Sequence, residues 1–380
     1  MADGVALLRL GRSDRAAARA RLRELAPEEI ASLCQELRPE ARNEFLDLVE
    51  RPEQVVPLLP EAELVHTVRA GGMTEAAWLL ELATPEQRVA CFDLDCWNGN
   101  TLAVPRVQEW LDALIEAGRP TLVKALNEID LELLILALRA EARIAVVGKE
   151  DVPPDGWFTP DGVVYFGVPS DQSPERVHEI AQSLAGESPA LYWRMVYGAL
   201  FESPAECEEE ALHWRSVRLS DLGFPDREQA MRVYRPLAPE RVTDWTPPAE
   251  SSQLVAAISL PRQLRGSLLG EALSKLPEHQ AADVLGYVLG VANSLAVADG
   301  LSLSEPDSVP RALEKAVRGI DAGLRELARA RSQPPERILE RTTPLDLFRV
   351  AATADPSLRT RANPPEESDD PEPEPEPDDE

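Results

Sequence analysis

At 380 residues, 44% of them hydrophobic, the chain is long enough for two or three domains with their own cores and has a globular composition. Its 39 basic and 67 acidic residues give a formal net charge of −28, which repels nucleic-acid backbones and anionic membrane surfaces and argues against both as partners. Ten of the acids fall within residues 366–380, so −18 of the −28 remains on the rest of the chain.

Residues 1–10 lack the basic flank, apolar core and small-residue cleavage site of a signal peptide, so no export is expected. Residues 1–118 read as a helical-repeat domain. Ile30, Leu33, Cys34 and Leu37 follow i, i+3, i+4, i+7 spacing, and Val107, Trp110, Leu111 and Leu114 repeat it. Between such stripes recurs a phrase: Leu25-Ala-Pro-Glu-Glu, Leu37-Arg-Pro-Glu and Ala83-Thr-Pro-Glu-Gln. Proline suits the first helical position, whose N–H lacks an intrahelical partner, and the glutamates face the positive end of the helix dipole. Helix pairs of this kind stack into solenoids.

These Pro-Glu-punctuated repeats resemble the cytoplasmic N-terminal superhelical domain of MgtE-type magnesium transporters, over residues 1–115. That resemblance implies a superhelical fold and a divalent-cation-sensing role. A wider set of phrases resembles an uncharacterised bacterial domain-of-unknown-function family of mainly helical proteins. They are Phe92-Asp-Leu-Asp-Cys-Trp-Asn-Gly, Glu109-Trp-Leu, Glu210-Ala-Leu-His-Trp-Arg, Leu219-Ser-Asp-Leu-Gly-Phe-Pro-Asp and Val297-Ala-Asp-Gly. This second resemblance brings no catalytic residues with it.

Residues 119–240 form a second helical region with a small β element near 144–168. Ile144-Ala-Val-Val reads as a strand. Trp157-Phe-Thr-Pro-Asp-Gly-Val-Val-Tyr-Phe reads as a hairpin turned at Pro160 and Gly162. Ser173, Ser188 and Ser203, each followed by proline at the first helical position, read as serine caps of helices, with Ser203 and Glu206 placed for a capping box and Asp226 and Gln229 for another. Trp193, Tyr197 and Phe201, at i, i+4, i+8, read as a core-packing stripe.

Residues 241–251 read as a proline-rich linker, and residues 252–354 as a C-terminal helical bundle. In that bundle Leu313, Val317, Ile320, Leu324 and Leu327 make one stripe, and glycine pairs at 266/270 and 286/290 are expected to let helices approach closely. The apolar segment 284–298 is too short and polar to span a bilayer and reads as a buried helix. Residues 355–380 read as a disordered acidic Pro/Glu tail. The fold class expected is therefore mainly α.

Three histidines, His66, His178 and His213, have a glutamate three residues earlier, at Glu63, Glu175 and Glu210. Glu-x-x-His helices joined by further glutamates hold two metals in carboxylate bundles, which makes Glu175, His178, Glu206, Glu210 and His213 candidate ligands for Mg2+ or another divalent cation. The alternative is a set of surface ion pairs near helix starts, with no cofactor. Asp93-Leu-Asp95 echoes the DxD of haloacid-dehalogenase-type phosphotransferases, but no alternating βα run follows; a helix ending in an Asn98-Gly99 turn explains it as well. As a calcium loop it fails at Trp97 and Asn98. There is no P-loop, dinucleotide fingerprint or Gly-x-Ser-x-Gly elbow. Arg215 and Arg218 are expected to pair internally with acidic residues.

Cys34, Cys91, Cys96 and Cys207 form neither a disulfide framework nor a CxxC pair, which suits a reducing cytoplasm. The leading expectation is a soluble, cytoplasmic, non-enzymatic scaffold or adaptor that binds a protein partner through its helices, with no nucleic acid and no membrane insertion. A divalent-cation-sensing regulator and a metal-dependent enzyme are the alternatives.

Overall fold

The computed structural model describes residues 3–148, 152–170, 172–245, 264 and 266–359. Residues 246–251 of the expected linker and the acidic tail from 360 onward lie outside the described residues. The protein is mainly helical, as the periodicity predicts. By contact it divides into two units, Met1–Phe224 with Ser302–Pro310, and Pro225–Leu301 with Arg311–Glu380.

The first unit opens with α1 (Gly4–Ser13), α2 (Arg15–Leu22), α3 (Pro27–Gln35), α4 (Pro39–Leu46), α5 (Glu61–Gly71), α6 (Trp78–Leu82) and α7 (Pro85–Asp95). Pro27, Pro39 and Pro85 each occupy the first helical position, as the recurring phrase predicts. Glu29 accepts a hydrogen bond from the Ala26 N–H at 3.0 Å. Thr84 and Gln87 exchange side-chain to backbone bonds at 3.2 and 2.9 Å, satisfying two N–H groups that the helix cannot pair. The expected stripes are inward: Ile30, Leu33, Cys34 and Leu37 are buried, as are Val107, Trp110, Leu111 and Leu114.

After α7 a tight hairpin joins β1 (Trp97–Asn98) to β2 (Thr101–Leu102), with Trp97 opposite Leu102. Gly99 turns the chain at φ +62°, a conformation that costs glycine nothing. Then follow α8 (Val104–Glu116), α9 (Arg119–Glu128) and α10 (Leu131–Glu141). The small β element comes next. Strand β3 (Arg143–Val146) pairs antiparallel with β4 (Val164–Gly167), and Phe158 bridges to Phe166 from the other arm of the turn. Asp161 shapes that turn by accepting from the Val163 and Val164 N–H groups, both at 2.8 Å. The unit closes with α11 (Pro174–Glu187), α12 (Pro189–Phe201) and α13 (Pro204–Asp221).

Two of the expected serine caps are not made. Ser188 stands at the start of α12, but its hydroxyl accepts from Asn127 Nδ2 at 3.0 Å instead of capping. Ser203 makes no capping bond to α13 either, so the Ser203/Glu206 box does not form. That helix start is exposed and Pro204 removes one of its free N–H groups, so water can satisfy the others. Asp226 does cap, accepting from the Gln229 N–H at 2.8 Å.

The second unit contains α14 (Arg227–Ala230), a 3-10 turn over Met231–Tyr234, α15 (Leu268–Leu273), α16 (Glu278–Ala298), α17 (Ser308–Arg331), α18 (Pro335–Leu339) and α19 (Pro344–Ala354). The predicted stripe Leu313, Val317, Ile320, Leu324 and Leu327 is buried along α17. Helix α16 runs 21 residues, longer than the segment read from sequence, and by length and composition is apolar enough to cross a membrane. Val284, Val288, Ala292 and Leu295 nonetheless face inward, where the helix packs on α14 and α19.

The glycines that permit close packing are not the expected ones. A Cβ on Gly286 or Gly290 would meet nothing within 4 Å, and Gly270 approaches the Leu264 carbonyl of its own turn. Close approach occurs instead at Gly319 and Gly323 of α17, where a Cβ would collide with the Phe348 ring and the Leu347 carbonyl of α19. Near the end of α16 the phrase Val297-Ala-Asp-Gly supplies Asp299, whose carboxylate receives Lys315 Nζ at 2.7 Å and the Tyr234 hydroxyl at 2.5 Å. Residues 356–359, read from sequence as part of the tail, are structured. They form a final 3-10 turn with Leu358 buried, and Arg359 Nε donates to the Ala352 carbonyl at 2.6 Å.

Candidate functional site

The five candidate metal ligands lie on two helices. Glu175 is exposed in the first turn of α11, and His178 packs edge-on against Phe158 with ring centroids 4.9 Å apart. Glu206, Glu210 and His213 are exposed on α13, where His213 meets the neighbouring Trp214 ring. The third pair, Glu63 and His66, stays in contact at 3.9 Å but is tied to other groups as well. Glu63 pairs with Arg42, and His66 Nε2 lies 3.3 Å from the Leu303 carbonyl. Among the described residues no three His, Cys, Asp or Glu side chains are grouped to hold a metal ion.

Asp93 and Asp95 sit on the last turn of a helix, not at the end of a strand in a parallel sheet. Both are buried and engaged. Asp93 receives Arg218 Nε at 2.7 Å and Nη2 at 2.9 Å, a bidentate fork. Asp95 accepts the Trp110 indole N–H at 2.9 Å and lies 3.4 Å from Arg69, which also pairs with Glu109. Burial pushes the Asp93 carboxyl up, and the Arg218 bonds pull it back only in part. Burial opposes the Arg218 charge as well, but Asp93 and Asp130 together hold that guanidinium above its ordinary value.

Arg215 is held differently. It donates to the Asp93 carbonyl at 2.7 Å and the Gly99 carbonyl at 3.2 Å, with its guanidinium over the Trp97 ring at 5.2 Å. No carboxylate among the described residues forms an ion pair with it, and burial lowers it to about 10. The expectation that both arginines pair internally thus holds for the charge of Arg218 and the backbone bonds of Arg215. Three of the family-like phrases, around Asp93, Trp110 and Arg215, meet in this one network.

The network and three further contacts converge on α10. At its start, Asp130 occupies the capping position but gives its carboxylate to Arg218, which reaches it at 3.0 and 2.5 Å from α13. At its end, buried Glu141 receives Arg176 Nη1 from α11 at 2.8 Å, while the same arginine clasps Asp112 of α8 at 2.7 and 2.8 Å. In the middle, Gly198 of α12 leaves room for Ile135; a Cβ there would collide with that side chain. Arg139 completes the seat by donating to the Ala199 and Glu202 carbonyls at 2.7 and 2.6 Å, where the end of α12 lacks partners.

The face of α12 turned away from α10 is the candidate site. Tyr192, Met195, Val196 and Gly198 are buried, with the Tyr192 hydroxyl donating to Asp161 at 3.1 Å. Opposite them Trp193 is 47% exposed, Tyr197 62% and Phe201 69%. The expected core stripe is therefore a surface ridge. The physical reason is that α12 is apolar on both faces, so a spacing of i, i+4, i+8 identifies one face without saying which side the core occupies. Tyr197 and Phe201 pack on each other at 4.9 Å between centroids. The chain continues into Glu206, Glu208, Glu209 and Glu210, all exposed, so an acidic run follows the ridge.

Asp130, Arg69, Arg176 and Glu141 escaped sequence reasoning. The signal available was an aspartate immediately before an apolar helix, which reads first as a cap. The thiols offer no nucleophile near neutrality: burial pushes Cys34 up to about 12 and Cys207 to about 11, and raises Cys91 and Cys96 further.

No curated protein matches the chain, and no solved structure does. One family model matches residues 19–368, spanning Asp93, Trp110, Arg215 and Asp299, and by that extent the chain belongs to the family of unknown function DUF6178.

Proposed function

We propose that this protein is a non-enzymatic scaffold or adaptor of the bacterial cytoplasm, and that the Trp193/Tyr197/Phe201 ridge of α12 is its docking face for a protein partner. The observation that carries this reading is the exposure of three large aromatics at i, i+4, i+8 on a helix braced from behind by Ile135 and Arg139. Aromatic side chains contribute much area at little conformational cost, and a braced helix loses little freedom on binding. The acidic run Glu208–Glu209–Glu210 that follows suits a partner with basic residues around an apolar anchor. The helical repeats read in residues 1–118 would add further docking surface. Four free, buried cysteines support a reducing compartment.

The test places a photo-crosslinking amino acid at Tyr197 in the full chain expressed in its native cell. A discrete adduct is expected that disappears in Trp193→Ser/Phe201→Ser, while the melting temperature stays within about 2 °C because exposed positions carry little packing. Absence of any adduct at Tyr197, or an adduct unaffected by the double substitution, overturns the reading.

A further inference from the structure

Helix α17 carries a feature opposite in sign to the rest of this acidic protein. Arg318, Arg325 and Arg329 are exposed on its outer side. At 100° per residue their spacing of seven and four residues keeps them within about 40° of one line. Ala322 falls about 40° to one side of Arg318 and the acid Glu314 about 40° to the other, with Glu326 farther round the helix. Among the described residues none of the three arginines forms an ion pair or a side-chain hydrogen bond, whereas many of the other described arginines are ion-paired. The row spans about 16 Å at 1.5 Å per residue.

The last described turn of the chain begins close to this row. Helix α19 packs on α17 at Gly319 and Gly323, next in sequence to Arg318 and two residues before Arg325. Its capping residue Asp355 is held below the ordinary carboxylate value by the Ser357 hydrogen bonds and, more weakly, by the charge of Arg318. Arg359, tied to the Ala352 carbonyl, ends the described chain. Six residues lie between it and Glu366, seven steps of chain, which at about 3.1 Å per step would allow a reach of about 20 Å. Beyond lie ten acidic residues in fifteen, with no basic residue among them.

We propose that the acidic segment 366–380 docks in cis along the Arg318/Arg325/Arg329 row of α17. Three features select this occupant: the complementary charge, the placement of Asp355 near Arg318, and a connecting length that reaches the row. The docking is electrostatic and lies at the surface, so salt weakens it. Its consequence is a basic strip kept from other acidic partners by the protein's own chain.

The experiment uses the full chain with Ser368→Cys labelled by a fluorescent dye; the four native cysteines are buried and stay unlabelled. Fluorescence anisotropy at low salt is expected to exceed that in about 1 M NaCl, where the screening length falls to about 3 Å. Arg318→Glu/Arg325→Glu/Arg329→Glu is expected to show at low salt the anisotropy of the unsubstituted chain at high salt, the Gln triple to do the same, and the Lys triple to keep the original value. A Glu or Gln triple indistinguishable from the unsubstituted chain overturns the proposal, as does an anisotropy independent of salt. So does an equal loss in Arg9→Glu/Arg21→Glu, which changes exposed charges in the first unit.

Discussion

Arg218→Ala tests whether the network around α10 is structural in the sense argued above. In the native protein Arg218 makes four hydrogen bonds to two carboxylates, at 2.7 and 2.9 Å to Asp93 and at 3.0 and 2.5 Å to Asp130. The Asp93 and Asp130 side chains are only 6% and 15% exposed, so removing the guanidinium strands two charges away from water. Breaking a buried pair by deleting one partner costs about 3–5 kcal/mol. Arg218 is itself 33% exposed, so water entering the gap puts the expected loss near the lower end, about 3 kcal/mol. For a unit of this size that lowers the melting temperature by about 6–12 °C. Differential scanning calorimetry of the full chain reads it, with the Asp93→Asn/Arg218→Ala double substitution expected to lose less than the sum of the singles. Arg12→Ala is the comparison, because the Arg12–Glu44 pair is 59% and 44% exposed and counts as a surface pair. A drop for Arg218→Ala no larger than that for Arg12→Ala would refute the reasoning.

Two further predictions concern Glu63 and the glycines. Burial works against the Glu63 carboxylate, but His66 and Arg42 hold it below its ordinary 4.5. A carboxyl with a depressed native pKa adds stability above its unfolded value that is lost as pH falls through the native one. Urea midpoints measured from about pH 5 to about pH 3 should therefore fall more steeply for the unsubstituted chain than for Glu63→Gln; parallel curves would contradict this. Gly323→Ala should destabilise the second unit by about 1–3 kcal/mol, since the new methyl meets the Leu347 backbone, which cannot move aside as a side chain would. Gly286→Ala, with open space around it inside α16, should instead stabilise by up to about 1 kcal/mol in the same denaturation assay. Equal effects at the two positions would defeat the packing argument.

Much of the fold could be read locally. Proline at the first helical position is set by the chemistry of a single peptide unit, so Pro27, Pro39 and Pro85 were placed without any knowledge of neighbours. The stripe from Leu313 to Leu327 was legible because α17 is polar on its other side, which leaves one face to bury. Side-chain caps were less legible. Ser188 had the right position, but a hydroxyl is free to choose a partner, and Asn127 from α9 claimed it.

The candidate site shows where local information ends. From sequence alone, α12 was a helix with two apolar faces, and the stripe Trp193, Tyr197, Phe201 was the better formed of them. The opposite face is buried because Gly198 admits Ile135 and Arg139 reaches the last carbonyls of the helix, contacts made across about 60 residues of chain. The same holds for Arg218, whose charge was visible while its partners, 125 and 88 residues away, were not. The sequence by itself thus determined the helices, their starts and the charge balance, since each depends on spacing or composition within a few residues. Which apolar face became core, which glycines met a neighbour and which carboxylates the arginines found were decided by tertiary structure, because burial and pairing energies depend on distances that chain position does not encode.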